Sequence, residues 1–383
     1  MDMIKFLMEM VRLDTNSEEK KNYREIADLI VKKAKELGLK PLVIDAKAPD
    51  GKPRPNILIR LPGKKGKRIV LITHFDVVPA GEGWSFDPFK PFVKDGKVFG
   101  RGASDNKGAI ASALKAFEDL IKETKEDERN DLILAITCDE EVGGEYGVKY
   151  IAKDIEKLKP DLIWIIDAAS EYISLGASGV IALKVIVKGK QCHAGYPYKG
   201  DNALHKAARL IVELEKYGKK LEKKEKSPLK AYEHYDRVPG RLNVTVIKGG
   251  VKSNVIPEKV EFILDRRVPP GKDTEKAYKE LIKFIKKKEK NVEFELMAKV
   301  SSYYTDEKIP IVKRFIKVVG KKYNLRICGE LGGNDGYIFA NKFPVICFGN
   351  IGEDNNIHGK DEFVRISDLE KLRDAIKRVA LEL

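Results

Sequence analysis

Short apolar runs alternate with amphipathic stretches through the first half of the chain. Four runs predict strands: "RPNILIRLPG", "GKRIVLITH", "DLILAIT" and "DLIWIID". The second is apolar on both faces, which is typical of a central strand in a covered sheet. Residues 108–122 have the period of an amphipathic helix, and residues 2–38 predict two helical parts, with Ser17 as the N-cap of the second. This order favours an α/β layer architecture.

From about Ile181 the pattern changes to strands that alternate apolar and polar positions. Helical patterns over residues 202–217 and 273–288 separate these strands, and Asp273 is the predicted N-cap of the second helix. The resulting order is β-α-β-β-α-β, the pattern of a ferredoxin-like domain. The apolar run "FPVICFGN" then predicts a return to the first architecture. We therefore predict an α/β domain from residues 1–178 and 299–383, interrupted by a ferredoxin-like domain at residues 179–298.

The composition is that of a globular protein: 383 residues, 43% hydrophobic and 34% charged. The formal net charge of +14 raises the question of an anionic partner. Lysine-rich stretches such as "LEKYGKKLEKKEK" look like solvated helix faces, and no aromatic-interleaved basic motif indicates a nucleic-acid module. We therefore expect neither a nucleic-acid partner nor, without an apolar run of about 18 residues, a membrane span.

Four cysteines are scattered along the chain without a C-x-x-C pair: Cys138, Cys192, Cys328 and Cys347. This pattern indicates a reducing compartment rather than a disulfide framework. The N-terminal residues also lack the charged and apolar regions of a secretory signal. We expect a cytoplasmic protein.

Histidine or carboxylate residues stand just beyond each predicted buried strand. His74, Asp139–Glu141 and Asp167 end three strands, His358 follows a fourth after a short loop, and Asp105 precedes the helix at Gly108. Open α/β sheets bind ligands beyond the carboxyl ends of their strands. Each residue alone has a simpler interpretation: a hydrogen-bonded core histidine, or a helix N-cap for Asp105. Together they favour a metal site suited to Zn²⁺, with Co²⁺ or Mn²⁺ as substitutes.

Six segments, in order along most of the chain, carry a resemblance: "THFDVVPAGEGWSFDPFKPFVKDGKVFGRGASDNKG", "DEEVGG", "CHAGYPYKGDNAL", "NVTVIKGGVKSNVIP", "LDRRVPPG" and "GGNDG…IHGKDEFV". They resemble the family of acetylornithine deacetylase, succinyl-diaminopimelate desuccinylase, aminoacylase and related metallopeptidases. The resemblance implies a zinc-peptidase-like three-layer catalytic domain with two Zn²⁺ per subunit. It also implies that the inserted domain is a lid or dimerisation domain, and we expect a homodimer through it.

The resemblance also implies a role for each matching residue. One metal would be bound by His74 and Asp167, the other by Glu141 and His358, and Asp105 would bridge them. Glu140 would act as general base and acid rather than as a ligand. Asp76 would orient His74, a role that its spacing also suggests.

Three residues of the inserted domain receive roles from the same resemblance. His193 would hold the substrate carbonyl oxygen as charge develops, and Arg267 and Asn243 would engage the substrate, often its carboxylate. Simpler interpretations remain: His193 could cap a turn, and Arg267 could pair with Asp265 on the same strand face.

The expected function is hydrolysis of the amide bond of an N-acyl amino acid, of the deacetylase or desuccinylase type, by a metal-activated water. A carboxypeptidase or dipeptidase of the same family is the close alternative. A non-catalytic binding protein on a hydrolase fold is the alternative from another class.

Overall fold

The computed structural model describes residues 1–383, and the chain divides into two compact units. Unit 1 consists of Met1–Leu175, Thr305–Ile327 and Ile338–Leu383. Unit 2 consists of Gly176–Tyr304 and Cys328–Tyr337. None of the helices has the length and apolar character needed to cross a membrane.

The chain contains nineteen strands and nine α-helices. The strands are β1 (Leu42–Asp45), β2 (Pro55–Leu61), β3 (Arg68–His74), β4 (Phe92–Lys94), β5 (Lys97–Phe99), β6 (Asp131–Thr137), β7 (Leu162–Ile165), β8 (Tyr172–Ala177), β9 (Gly179–Lys188), β10 (Cys192–His193), β11 (Lys226–Lys230), β12 (Arg237–Pro239), β13 (Arg241–Gly249), β14 (Val255–Ile256), β15 (Lys259–Val268), β16 (Val292–Val300), β17 (Arg326–Glu330), β18 (Val345–Cys347) and β19 (Phe363–Arg365). The helices are α1 (Met3–Val11), α2 (Tyr23–Glu36), α3 (Lys107–Glu123), α4 (Val148–Lys157), α5 (Ala203–Lys224), α6 (Thr274–Lys288), α7 (Pro310–Phe315), α8 (Lys321–Tyr323) and α9 (Ile366–Glu382), with a π-helical turn between α7 and α8.

The main sheet has eight strands in the order β1-β2-β6-β3-β7-β18-β8-β17. Its centre is parallel: β3 pairs with β6 and β7, and β7 pairs with β18. Nearly every side chain of these central strands is buried, because helices cover both faces of such a sheet. Parallel strands place their carboxyl ends at one edge, and this edge of unit 1 carries the candidate site.

Unit 2 contains a four-stranded antiparallel sheet in the order β13-β15-β9-β16. Strands β9 and β15 alternate buried and half-buried residues, so one sheet face packs against α5 and α6. The element order β9-α5-β13-β15-α6-β16 is the predicted β-α-β-β-α-β pattern. The mixed α/β fold with an inserted ferredoxin-like domain is therefore confirmed.

The structure differs from the sequence predictions at the bounds of the two units, where residues 176–178, 299–304 and 328–337 belong to unit 2, and at Ser17. Residues 328–337 group with unit 2 rather than with the α/β part, because Ser178 bonds to this segment through Gly332 O at 2.8 Å and Glu330 O at 3.0 Å. Ser17 does not cap a helix, which was a wrong prediction. It is buried, its backbone N–H donates to Val77 O, and α2 begins only at Tyr23.

Candidate metal centre

The edge of the main sheet brings together the five predicted ligand residues of unit 1. His74 is the last residue of β3, and Glu141 lies in a 3₁₀ turn that follows β6. Asp167 follows β7, His358 lies in the loop between β18 and β19, and Asp105 immediately precedes α3. The sheet topology explains why His74, Glu141 and Asp167 converge, because β3, β6 and β7 are parallel neighbours.

Asp105 stands at the middle of the cluster. Its Oδ1 lies 3.2 Å from His74 Nε2, and its Oδ2 lies 3.1 Å from His358 Nε2. On the His74 side, Nε2 is also 3.5 Å from Asp167 Oδ2. On the other side, His358 Nε2 is 3.2 Å from Glu141 Oε2. The two carboxylate oxygens of one residue thus face two separate groups of donors.

These spacings suit a pair of metal ions. Donors bound tetrahedrally at about 2.0–2.1 Å from one ion are separated by about 3.3 Å, close to the distances in this cluster. The cluster contains two sets of three residues that could each hold a metal ion, and within each set the donor atoms lie within 4.8 Å of one another. The sets are His74, Glu140 and Asp167, and His74, Asp105 and Glu141. The residues therefore fit a pair of metal ions, which His74, Asp105, Glu141, Asp167 and His358 would hold.

The two imidazoles lie in a strongly negative environment. Burial alone would lower the pKa of His74, but Asp167, Asp105 and Asp76 outweigh it and raise that pKa well above its usual value. Hydrogen bonds to Asp105 and Glu141 raise the pKa of His358 to about 10. The electrostatic field that would keep a proton on each ring would equally hold a metal cation, so metal binding would displace protons.

The carboxylates respond to the same environment in different ways. Burial opposes ionisation of Asp105, but hydrogen bonds from His358 and His74 outweigh it and hold its pKa well below the usual range. Burial raises the pKa of Glu141 and of Asp167 above their usual values. A cation beside these two groups would favour their ionised forms.

Asp76 connects β3 to the acidic turn after β6. Its backbone carbonyl lies 3.0 Å from His74 Nδ1, and its carboxylate Oδ1 lies 3.4 Å from the same atom. The two carboxylate oxygens also accept the backbone N–H groups of Glu140, at 3.2 Å, and Glu141, at 3.1 Å. Asp76 therefore fixes both the His74 ring and the acidic turn. Sequence spacing indicated the contact with the ring but not the contacts with the turn.

Asp139, the first acid of the "DEE" run, is buried. It has a left-handed backbone, with φ of 58°, at the start of the turn. Its carboxylate accepts from Arg54 Nε at 2.5 Å and from the Tyr23 hydroxyl at 3.0 Å. The three adjacent acids therefore avoid mutual repulsion because Asp139 is neutralised by protein groups while its neighbours face the cluster.

Glu362 organises the loop that presents Asp105. This buried carboxylate accepts the backbone N–H groups of Gly102, Ser104 and Asp105 at 2.9–3.1 Å, and Arg101 Nη1 at 2.7 Å. Burial raises the pKa of Glu362 above its usual value, and the arginine opposes that rise. Sequence analysis missed this support because its partners are more than 250 positions away along the chain.

His193, in unit 2, lies on the short strand β10 and is exposed. Its Nδ1 accepts the backbone N–H of Gly195 at 3.0 Å. The neutral ring therefore carries its proton on Nε2, which is left as a hydrogen-bond donor. In this tautomer Nε2–H can donate a hydrogen bond to an oxygen atom that gains negative charge.

Arg267 and Asp265 form the ion pair that the sequence left open. Arg267 Nε and Nη2 donate to the two Asp265 oxygens at 2.8 Å and 3.0 Å. Asn243, directly across the ladder from Asp265, is exposed on the edge strand β13. Nothing in this geometry assigns either Arg267 or Asn243 to a substrate.

A cluster of histidine and carboxylate side chains at the carboxyl edge of an α/β sheet is the site of a metal-dependent hydrolase. The family model "Peptidase family M20/M25/M40" matches residues 70–382, and the chain belongs to this family.

Relatives of this chain are named as metallohydrolases or desuccinylases. An uncharacterized metallohydrolase of Methanocaldococcus jannaschii is 30% identical over 357 residues, covering 85% of this chain and 83% of the relative. The succinyl-diaminopimelate desuccinylase of a Sulfurovum species is 28% identical, covering 84% of this chain and 85% of the relative.

Solved structures establish the fold. The metallo-carboxypeptidase Sso-CP2 of Sulfolobus solfataricus superposes with a TM-score of 0.79 at 21% identity, covering 99% of this chain and 98% of that one. A tripeptidase of Staphylococcus aureus gives 0.80 at 20% identity, covering 98% and 96%. Family membership makes the chain a metallohydrolase that acts on amide bonds, and the cluster provides residues that could hold its metal.

Proposed function

We propose that the protein hydrolyses the amide bond of an N-acyl amino acid, as a deacetylase or desuccinylase does. The observation that carries the site assignment is Asp105, whose two oxygens face two donor groups at 3.1–3.2 Å. The choice of acyl substrate rests on the relatives, since several that cover most of the chain are named succinyl-diaminopimelate desuccinylase.

The geometry supports the residue roles that the family resemblance implies. His74 and Asp167 would hold one ion, Glu141 and His358 the other, and Asp105 both. Two divalent ions, when bound, would polarise the amide carbonyl and lower the pKa of the attacking water. We propose Zn²⁺, with Co²⁺ or Mn²⁺ as substitutes, because two imidazoles and several carboxylates form a borderline-hard ligand set.

Glu140 is the proposed general base. Its backbone N–H donates to Asp76, which fixes its position. A carboxylate oxygen of Glu140 lies within 4.8 Å of donor atoms of His74 and Asp167, so the side chain is close to the cluster. It would accept a proton from the attacking water and then deliver that proton to the leaving amine. The Nε2–H of His193 would stabilise the oxyanion, because the Gly195 N–H leaves that nitrogen as the donor.

The second candidate is a carboxypeptidase or dipeptidase. The solved structures support it, because those of similar fold include a metallo-carboxypeptidase and a tripeptidase. We further propose a cytoplasmic homodimer through unit 2. The edge strand β13 supports this proposal, because Val246 and Ile247 are exposed on it and unpaired strand edges favour association.

One panel of assays tests the proposal. Apo, zinc-loaded and cobalt-loaded protein would be given acetylornithine, succinyl-diaminopimelate and a set of dipeptides, with chelator controls. We expect metal-dependent release of free amine from an N-acyl amino acid. Faster cleavage of dipeptides would favour the second candidate, and no cleavage of any amide would contradict both.

The Glu140→Ala variant tests the base directly. General acid–base catalysis is worth about 10²–10⁴-fold, so we expect turnover to fall by at least that factor while metal content stays unchanged. Full activity in this variant would refute the assignment of Glu140.

A further inference from the structure

The loop of residues 348–362, between β18 and β19, carries His358 outside any helix or strand. Its backbone is left-handed at His358, with φ of 59°, and also at Asn356 and Asp361, with φ of 54° and 58°. Residues other than glycine keep this conformation only where surrounding contacts impose it. The position of the His358 side chain therefore depends on the contacts that this loop makes with other parts of unit 1.

Arg101 makes the first of these contacts. This residue is buried, and its Nη2 donates to Gly359 O, next to His358, at 2.8 Å. Its Nη1 donates to Glu362 Oε2 at 2.7 Å, and the Glu362 carboxylate accepts the backbone N–H of Asp105 at 3.1 Å. A guanidinium group is planar and rigid, so Arg101 joins the loop of His358 to the loop of Asp105 in a fixed geometry.

Two neighbouring residues, Trp84 and Ser85, support the same loop. The Trp84 ring packs 5.0 Å from Arg101 Cζ, which limits the movement of the guanidinium group. Ser85 donates its backbone N–H to Asp361 Oδ1 at 2.8 Å and its hydroxyl to Asp361 Oδ2 at 2.7 Å. Arg101 on the buried side and Asp361 on the exposed side therefore hold the His358 loop.

His74 depends on supports of another kind. It is the last residue of the buried strand β3, and the backbone carbonyl of Asp76 lies 3.0 Å from its Nδ1. The contacts of Arg101 and Asp361 support the His358 loop instead. The two histidines of the cluster are thus positioned independently, one by the core of the sheet and the other by a loop that is held at two points.

We propose that Arg101 and Asp361 are positioning residues for His358. They hold its Nε2 at the observed 3.1 Å from Asp105 Oδ2. The inference rests on the proposed function only in its assignment of one ion to His358 and another to His74. Outer partners of metal ligands typically contribute about 10–100-fold to metal affinity. Loss of either contact therefore weakens the ion at His358 and leaves the ion at His74 in place.

Calorimetric titration of the metal-free protein with Zn²⁺ and with Co²⁺ tests this inference without turnover. Arg101→Lys keeps a positive charge beside Glu362 but replaces the two-armed donor with one ammonium nitrogen. We expect one ion to bind as in the wild type and the other to lose about 10–100-fold in affinity. Asp361→Ala, at a bond on the protein surface, should cause a smaller loss of the same ion. His358→Ala, which removes the ligand itself, identifies the binding step that belongs to His358.

A matched variant separates positioning from a general effect on the fold. Arg129 is a buried arginine of unit 1 whose Nη1 donates to Leu120 O at 3.0 Å and Thr124 O at 2.8 Å. It precedes the amino end of β6, opposite the edge that carries the cluster. Arg129→Lys should lower the free energy of unfolding and leave the affinity of both ions unchanged.

The outcomes distinguish this inference from the proposed function. Selective weakening of the step that His358→Ala removes supports the inference, whether or not any amide is cleaved. Equal weakening of both ions, or no weakening of either, would overturn it and leave the proposed hydrolysis standing. A wild type that binds only one ion would overturn it together with the assignment of two ions. If Arg101→Lys does not fold, Asp361→Ala decides by the same criteria.

Discussion

The two units carry their charges in opposite ways. Unit 1 has 44 lysines and arginines against 41 aspartates and glutamates, so it is close to neutral, yet its carboxylates converge on one buried point. Unit 2 has 29 basic against 18 acidic residues and therefore holds most of the net charge of +14. Its lysines are spread over exposed faces of α5 and α6.

This comparison shows that the position of the charged side chains, rather than their number, decides whether they indicate a ligand site. In unit 1, Asp105, Glu141 and Asp167 lie within 3.5 Å of imidazole nitrogens and are shielded from solvent. In unit 2, Lys216 and Lys219 are exposed, and each pairs with a glutamate on the same helix. Exposed pairs of this kind contribute little, so the excess of lysine needs no partner.

The largest effect should come from Asp105, the proposed bridging carboxylate. In Asp105→Asn, an amide replaces one of the two facing oxygens, so we expect metal content to fall by at least one ion per chain. Activity should fall by roughly 10³-fold or more, because the electrostatic contribution of a metal site is several kcal/mol. Metal analysis and kinetics would measure both. The matched control is Glu261→Gln, at an exposed ion pair of unit 2, which should alter neither. Unchanged metal content in Asp105→Asn would contradict the contrast between the clustered carboxylates of unit 1 and the exposed charges of unit 2.

A smaller effect is expected from the acid that supports the turn. Asp139→Ala removes the buried partner of the Arg54 guanidinium and leaves it only the exposed Asp50 carboxylate. Breaking a buried pair typically costs about 3–5 kcal/mol of unfolding free energy, and the remaining partner places the expected loss at the lower end of that range. Denaturant unfolding would measure this loss. Glu213→Ala, which removes the exposed pairs with Lys216 and Lys288 in unit 2, should be far less destabilising. Equal losses in the two variants would contradict the distinction between buried and exposed charge.

The smallest effect concerns a carboxylate of unit 1 outside the site. Burial opposes ionisation of Glu118, but hydrogen bonds from Lys115 and Lys122 outweigh it and lower its pKa from 4.5 to about 2. A depressed acid pKa stabilises the fold above the unfolded value and loses that contribution as pH falls through the folded value. Glu118→Gln should therefore be less stable at pH 7 by at most about 1 kcal/mol. The difference from wild type, followed by thermal unfolding, should shrink between pH 4.5 and about 2, and a difference that grows on acidification would contradict this.

Local pattern and family resemblance together predicted the fold and the residues of the cluster, for identifiable reasons. Buried strands are short apolar runs, and their ends can be located in the sequence, so His74 and Asp167 could be placed at one sheet edge. The supports could not be predicted. Glu362 reaches the Asp105 loop, and Arg54 reaches Asp139, only through tertiary packing, which no local period encodes.

Asp76 has a consequence for how this activity can be gained or lost. It holds the acidic turn through the backbone N–H groups of residues 140 and 141, so the shape of the turn does not depend on which side chains those residues carry. A glutamate codon becomes a glutamine codon by one base change. A descendant with glutamine at position 140 would therefore be expected to keep the turn and the rest of the cluster while losing the proposed general base. One substitution could in this way convert the enzyme into a protein that binds the same compounds without cleaving them, and the reverse substitution could restore the activity.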